Sequence, residues 1–317
     1  MAAETASMRE AFGEALVELG ESHPEVVVLD ADVSHSTRTV LFAERFPERF
    51  YNLGVAEANM MDIAAGLATT GCVPWVSTFS FLASLRAGEQ IRTCIAYPRL
   101  NVKIAAGYAG LSDSFDGPTH QSVFDLAVLR AMPNMAVIVA ADAPEAKAAV
   151  NAATAHAGPV YLRLSRAEVP VVFRGGEPEF EVGRGRLLRD GADVTLVATG
   201  VLLYRALAAA DGLAGQGIDA RVIEIHTLKP IDESILVDAG EQTGALVTIE
   251  EHSIIGGLGG AVAEVLARRR PTPIEMVGLR DTFAESGPYE PLLDAYGMGV
   301  GDIVAATQRV LARKPRR

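Results

Sequence analysis

The chain has only two cysteines, Cys72 and Cys94, and they show no close metal-ligand spacing. This argues against a disulfide scaffold and against a zinc site. It also has no run of about 18 uninterrupted apolar residues, so no segment is long enough to span a membrane as a helix. The start, Met1-Ala2-Ala3-Glu4-Thr5, lacks the basic residues and apolar core of a secretory signal. Positive charge is in the minority: 28 Lys and Arg face 40 Asp and Glu, a formal net charge of −12. General nucleic-acid binding needs concentrated positive charge, and two basic clusters do not supply it. Arg268-Arg269-Arg270 reads as the C-terminus of a helix, and Lys314-Pro315-Arg316-Arg317 as a chain end. The expectation is a cytoplasmic protein that binds neither nucleic acid nor membrane.

A chain of 317 residues, 49% hydrophobic, can bury more than one core, which predicts two domains. Short apolar runs at Val26-Val27-Val28-Leu29, at 101–105 and at Ala136-Val137-Ile138-Val139 fit buried parallel strands. Helical segments are expected between them, from Met60 to Thr69, Leu82 to Ala96 and Pro144 to His156. The last opens with Asp142-Ala143-Pro144-Glu145, an N-cap followed by an early-turn proline. Glycine, proline and charge break the pattern at Val172-Phe173-Arg174-Gly175-Gly176-Glu177-Pro178. A second α/β pattern follows, with strands at Val194–Ala198, Ala220–Glu224 and 245–249. The fold class is therefore α/β: two consecutive domains with mostly parallel sheets, 1–178 and 179–317.

Gly256-Gly257-Leu258-Gly259-Gly260-Ala261 has the outline of a dinucleotide fingerprint. It lies late in the second half with no acidic strand end at the usual interval, so close helix–sheet packing explains its glycines more simply.

Glu57 carries the most chemical information. It stands in Asn52-Leu53-Gly54-Val55-Ala56-Glu57-Ala58-Asn59-Met60-Met61, at the head of the small-residue stretch Ile63-Ala64-Ala65-Gly66-Leu67-Ala68. A carboxylate entering such a helix is costly to bury unless it holds its proton or finds a donor. A group so placed is suited to sharing a proton in catalysis. The plain alternative is a glutamate favoured by the positive end of the helix dipole. Further strings follow: Ser77-Thr78-Phe79-Ser80-Phe81-Leu82, then Asp116-Gly117-Pro118-Thr119-His120-Gln121, Arg130-Ala131-Met132-Pro133-Asn134-Met135, Ala140-Ala141-Asp142-Ala143 and Tyr161-Leu162-Arg163-Leu164-Ser165-Arg166.

Together these strings resemble the pyrimidine-binding domain of transketolases, which use thiamine diphosphate, with the transketolase C-terminal domain expected after it. In that family a glutamate hydrogen-bonds the aminopyrimidine ring and favours the imino form that removes the thiazolium proton. The resemblance assigns that part to Glu57. It implies that Phe79 stacks on the aminopyrimidine, with Phe81 and Leu82 near a second cofactor-contacting position. Asp116 and His120 match the substrate-facing pair, the histidine lying near the reacting carbonyl. Arg9, Ser36 and Arg166 line up with residues that grip the sugar phosphate, and Asp32, near Ser36, is a candidate active-site carboxylate. The second domain is expected to lie remote from the cofactor chemistry.

Two departures bear on the substrate. Tyr108 stands twelve residues before His120, where transketolases commonly carry a substrate- and phosphate-binding histidine. Ser114-Phe115-Asp116-Gly117 replaces the family's Gly-Glu-Asp-Gly. Both point away from ordinary pentose and hexose phosphates, toward an unusual sugar. The family's Gly-Asp-Gly with a downstream Asn-Asn, which binds Mg²⁺ and through it the diphosphate, is also missing. The resemblance therefore implies the C-terminal subunit of a split transketolase, with an N-terminal subunit carrying the diphosphate domain and the Mg²⁺ ligands in an α₂β₂ heterotetramer. Alternatives are the β subunit of a 2-oxo acid dehydrogenase E1 component, a truncated deoxyxylulose phosphate synthase, or a non-catalytic partner that keeps the fold. The Asp116–His120 loop favours the transketolase reading.

Overall fold

The computed structural model describes residues 4–314, so the terminal residues 315–317 of the basic tail lie outside the described residues. Two sheets organise the chain. The larger has seven strands in the order Thr227–Lys229, Ala136–Val139, Val160–Arg163, Lys103–Gly107, Val73–Phe79, Val26–Asp30 and Phe50–Asn52. The six strands of this sheet that precede residue 178 are parallel to one another. The smaller sheet runs Ile274–Leu279, Leu246–Ser253, Val194–Ala198, Ala220–Glu224 and Arg186–Arg189, with the last strand antiparallel. Strands buried on both faces become nearly continuous apolar runs, as in 26–29 of Val26–Asp30 and, Thr195 apart, in Val194–Ala198. The predicted bounds of Ala136–Val139, Val194–Ala198 and Ala220–Glu224 match the observed strands.

Differences arise where tertiary contacts override local pattern. The strand expected at 101–105 lies at Lys103–Gly107. The helix expected over Leu82–Ala96 is broken into two widened turns around a short helix, Gly88–Gln90. Ala87 N–H donates to the Leu82 carbonyl five residues back at 3.1 Å, the mark of a π-type turn. Thr227–Lys229 leaves the second sequence region and pairs antiparallel with Ala136–Val139 of the first. That strand physically joins the two halves.

The helix Ala143–Ala155 forms as its start signals predict. The Asp142 carboxylate accepts from Glu145 N at 2.9 Å, and Pro144 sits in the first turn. Its alanines pack against the helix Met8–Ser22, where Phe12, Leu16, Ala146, Ala149 and Ala153 share one core. Arg268 and Arg269 close the helix Leu258–Arg269, as expected of a basic last turn.

The glycine-rich turn before that helix encloses an anion of the chain's own. Glu250 accepts from Gly259 N at 2.8 Å and from Leu258 N, so a buried carboxylate takes the place of an external phosphate at the helix start. A side chain at Gly257 would collide with this carboxylate, and one at Gly259 with Met276 and Thr248. Helix–sheet packing therefore accounts for Gly259 and the internal anion for Gly257.

Burial pushes the Glu250 carboxyl up to about 7, although the two backbone donors oppose the shift. The folded chain then binds more protons than the unfolded chain between the ordinary value of 4.5 and about 7. Its contribution to stability is greatest below that window and is lost as pH rises through it. Glu250→Gln is expected to flatten this slope by on the order of 1–3 kcal/mol in urea unfolding across the window. Gly257→Ala is expected to lower stability at every pH by about 2 kcal/mol or more in the same assay.

Candidate active site

Parallel strands deliver side chains to one edge, because every connection leaves from the same carboxyl end. Five strands of the larger sheet do so here. Asp32 and Ser36 follow Val26–Asp30, and Glu57 follows Phe50–Asn52. Phe79 ends Val73–Phe79, with Phe81 and Leu82 just beyond it. Tyr108, Asp116 and His120 follow Lys103–Gly107, and Arg166 follows Val160–Arg163. Arg9 joins them from the first turn of Met8–Ser22, donating to the Ser36 carbonyl at 2.7 Å and to the Tyr108 hydroxyl at 3.3 Å.

Glu57 opens the helix Glu57–Ala68 and is 1% exposed. Its donor is Arg86, whose Nη1 lies 3.1 and 3.4 Å from the two carboxylate oxygens. Arg86 itself is 54% exposed, so a ligand can displace it from a carboxylate that stays fixed. The widened turn Leu82–Arg86 brings this cation back over the helix start. Leu82 heads that turn, half-buried.

The aromatic side chains form one connected group. Phe79 stacks on Tyr108 with centroids 4.1 Å apart, lies 6.4 Å from Phe81, and Phe81 meets the His120 ring edge-on at 5.1 Å. Tyr108 is buried with a positive φ of 61° and lies between two guanidiniums, Arg9 at 5.5 Å and Arg166 at 5.3 Å from its ring. Behind Arg166 stands Asp113, fully buried, with 3.7 Å between Oδ1 and Nη1. Burial, reinforced by the neighbouring Asp116 charge and opposed by Arg166, pushes the Asp113 carboxyl up to about 6. Asp32 stands apart, exposed and bonded to Asn52 at 2.9 Å, and Ser36 contributes its carbonyl. The site lies in the crevice at the carboxyl ends of the strands; a cavity of about 600 Å³ lined by Glu181, Arg186, His226 and Asp232 includes none of these residues.

The second domain holds the loop that carries Asp116 and His120. Glu251 accepts from Leu111 N at 2.6 Å, and Gly110, with φ of 63°, leaves room for that carboxylate. Gln121 donates to the Glu285 carbonyl at 3.0 Å, and Gly287 N to the Ser114 carbonyl at 3.0 Å. The loop bearing Asp113, Asp116 and His120 is thus held at both ends by the second domain.

Comparison with known proteins decides the family. The transketolase pyrimidine-binding domain matches residues 4–172 and the transketolase C-terminal domain residues 183–303. The chain belongs to the transketolase family. It is 47% identical over 293 residues to a putative transketolase C-terminal section from Methanocaldococcus jannaschii, covering 92% of each chain. It is 41% identical to a 6-deoxy-6-sulfo-D-fructose transketolase subunit from Clostridium sp. (strain MSTE9), covering 97% of this chain and 95% of that one. A solved structure described as a split gene transketolase, inactive beta4 tetramer, matches with a TM-score of 0.90 at 50% identity, covering 98% of this chain and 100% of that one. In domain content this transketolase chain corresponds to the C-terminal subunit of a two-subunit enzyme.

Thiamine diphosphate dependence comes with the family, and the residues present fit the pyrimidine half of that cofactor. A fixed carboxylate with a displaceable donor lies at the same sheet edge as half-buried aromatic rings. Three residues of this candidate site escape a reading by motif: Arg86, Asp113 and Glu251. Arg86 gives a faint signal as a cation after the mostly apolar stretch Phe81-Leu82-Ala83-Ser84-Leu85. Asp113 could be noticed as a second acid three residues before Asp116. Glu251 gives none, since its partner is 140 residues away.

Glu251→Ala would leave the buried Leu111 N–H without an acceptor, at a cost of about 1–3 kcal/mol. Faster exchange of the Leu111 amide, spreading through residues 110–121, is the expected result by hydrogen-exchange mass spectrometry. Unchanged protection of that loop would show that other contacts hold it.

Proposed function

We propose that this chain supplies the pyrimidine-binding half of a thiamine diphosphate site completed by a separate subunit, and that the assembly moves a two-carbon ketol unit between sugars. The observation that carries the reading is the buried Glu57 carboxylate, held by an exposed Arg86 on the edge where Phe79, Phe81 and His120 meet. When bound, thiamine diphosphate supplies a nucleophilic carbon able to take up the ketol unit. Glu57 exchanges Arg86 for the ring nitrogen of the aminopyrimidine and holds or shares a proton there. Phe79 provides a stacking face, and Leu82 an apolar contact beside it. His120, whose Nδ1 is 3.0 Å from the Thr119 hydroxyl, moves protons at the sugar oxygens, and Asp116 accepts from a sugar hydroxyl. Arg9, Arg166, Tyr108 and Ser36 line the remaining substrate wall, and Asp32 stands apart from them at the same sheet edge.

The partner is an N-terminal transketolase subunit carrying the diphosphate-binding domain and the Mg²⁺ ligands, in an α₂β₂ heterotetramer. The relatives support this reading: one is described as an inactive tetramer of its beta chain, and another, 34% identical, as one subunit of an apulose-4-phosphate transketolase from Phocaeicola vulgatus. Named relatives acting on a sulfosugar and on apulose phosphate also support an unusual sugar for this chain. We place the domain boundary at 178, between the regions matched by the two family models. We place the protein in the cytoplasm; among the described residues no helix is long and apolar enough to cross a membrane.

Glu57→Gln keeps the shape of the side chain and removes its charge. In the assembled enzyme it is expected to lower kcat by about 10²–10⁴-fold in a ketol-transfer assay. Full activity would contradict the assigned role and favour a non-catalytic subunit. In a donor panel, xylulose 5-phosphate is expected not to be the best substrate; if it were, the unusual-sugar reading would fail.

A further inference from the structure

Around Tyr108 the chain buries polar atoms that have nothing to bond. Both oxygens of Asp113 and the Nε atoms of Arg9 and Arg166 lack hydrogen-bond partners. Such atoms are costly to bury, so several beside one crevice point to a purpose other than stability. Asp113 sits behind the wall: its side chain has no exposed surface, whereas that of Arg166 is 38% exposed. At 3.7 Å the two attract without a hydrogen bond. The charge of the exposed Asp116 acts on Asp113, as does that of His120. Within this wall Arg166 therefore faces the buried carboxyl group of Asp113, whereas Arg9 is engaged by Ser36 and Tyr108.

Arg9 has already given Nη1 to the Ser36 carbonyl and the Tyr108 hydroxyl. A phosphate dianion entering here would gain Arg166 but meet the negative charge of Asp113 directly behind it, in a poorly solvated place where repulsion is weakly screened. A sugar hydroxyl bears no such penalty and can both donate and accept, to the Tyr108 hydroxyl, Asp116 and Arg166. We propose that Asp113 is a specificity-determining residue: it offsets Arg166 from behind, so that the Arg9–Tyr108–Arg166 wall takes the uncharged end of an unphosphorylated sugar in preference to a phosphate dianion. The inference rests on the transketolase reading of this crevice and narrows its substrate class. Asp113 acts through Arg166 without touching the substrate.

The probe is inorganic sulfate, which keeps its double charge across the working pH range, titrated calorimetrically into the full chain and into Asp113→Asn. At neutral pH the variant is expected to bind sulfate about tenfold more tightly or better. The gap should close as pH falls below about 6, where the wild-type carboxyl takes up its proton. Asp116, His120 and both arginines are retained in the variant, so the difference isolates Asp113. Sulfate binding that is equal in both proteins, or absent from both, overturns the proposal. In the enzyme assembled with its partner, Asp113→Asn is expected to shift kcat/KM about tenfold from erythrulose toward xylulose 5-phosphate, through KM. Equal loss with both donors would mark a structural role and overturn it. If the wild-type assembly turned over no ketose, the transketolase reading would fall, while the sulfate titration would still decide the part played by Asp113.

Discussion

The arrangement of this chain depends on one buried guanidinium. Arg163, at the end of a central strand, binds the Asp125 carboxylate through Nε at 2.8 Å and Nη2 at 3.3 Å. The same Nη2 donates to the Ser122 carbonyl and to the Glu251 carbonyl, each at 3.1 Å. Tyr161 adds a bond from its hydroxyl to Asp125 at 2.8 Å. Burial alone would raise the Asp125 carboxyl, but the Arg163 charge beside it prevails and holds it below the usual carboxylate range. One cation thereby ties together the parallel sheet, the end of the substrate loop and the second domain. Removing one partner of such a pair strands the other charge in a medium that cannot solvate it.

The site follows from that constraint. With the loop 110–121 pinned from the second domain, Asp113, Asp116 and His120 are presented at a fixed place beside Tyr108 and Phe81. Glu57 is set differently: its helix fixes it, and its partner Arg86 is free to leave. A rigid acceptor with a mobile donor suits an atom that must be handed to an incoming ring, whereas a carboxylate locked by backbone amides, as Glu250 is, can serve only the fold. Two buried glutamates on one chain thus take opposite parts according to what satisfies them.

Much of this was legible in the sequence because it is written locally. The strand patterns at Ala136–Val139 and Ala220–Glu224, the Asp142 cap and the head position of Glu57 each depend on neighbours a few residues away. The ordered strings carried the family and the likeness of Phe79, Asp116 and His120 to its functional residues. What could not be read depends on partners distant in sequence. The Gly257 turn needs Glu250 on the preceding strand, and the Leu111 amide needs Glu251 from the other domain. The crossing of Thr227–Lys229 into the first sheet is a three-residue event that no periodicity can announce. Arg86 was hidden for a related reason, since a widened turn shifts it onto the face of Glu57 where a regular helix would carry it past.

The central claim is that this chain holds half of a cofactor site. Calorimetric titration of thiamine diphosphate with Mg²⁺ into the purified chain, alone and then mixed with its diphosphate-binding partner, tests it most directly. The account predicts saturable binding in the mixture and none by the chain alone, with Glu57→Gln weakening the binding that the mixture shows. Tight binding by the chain alone would contradict it.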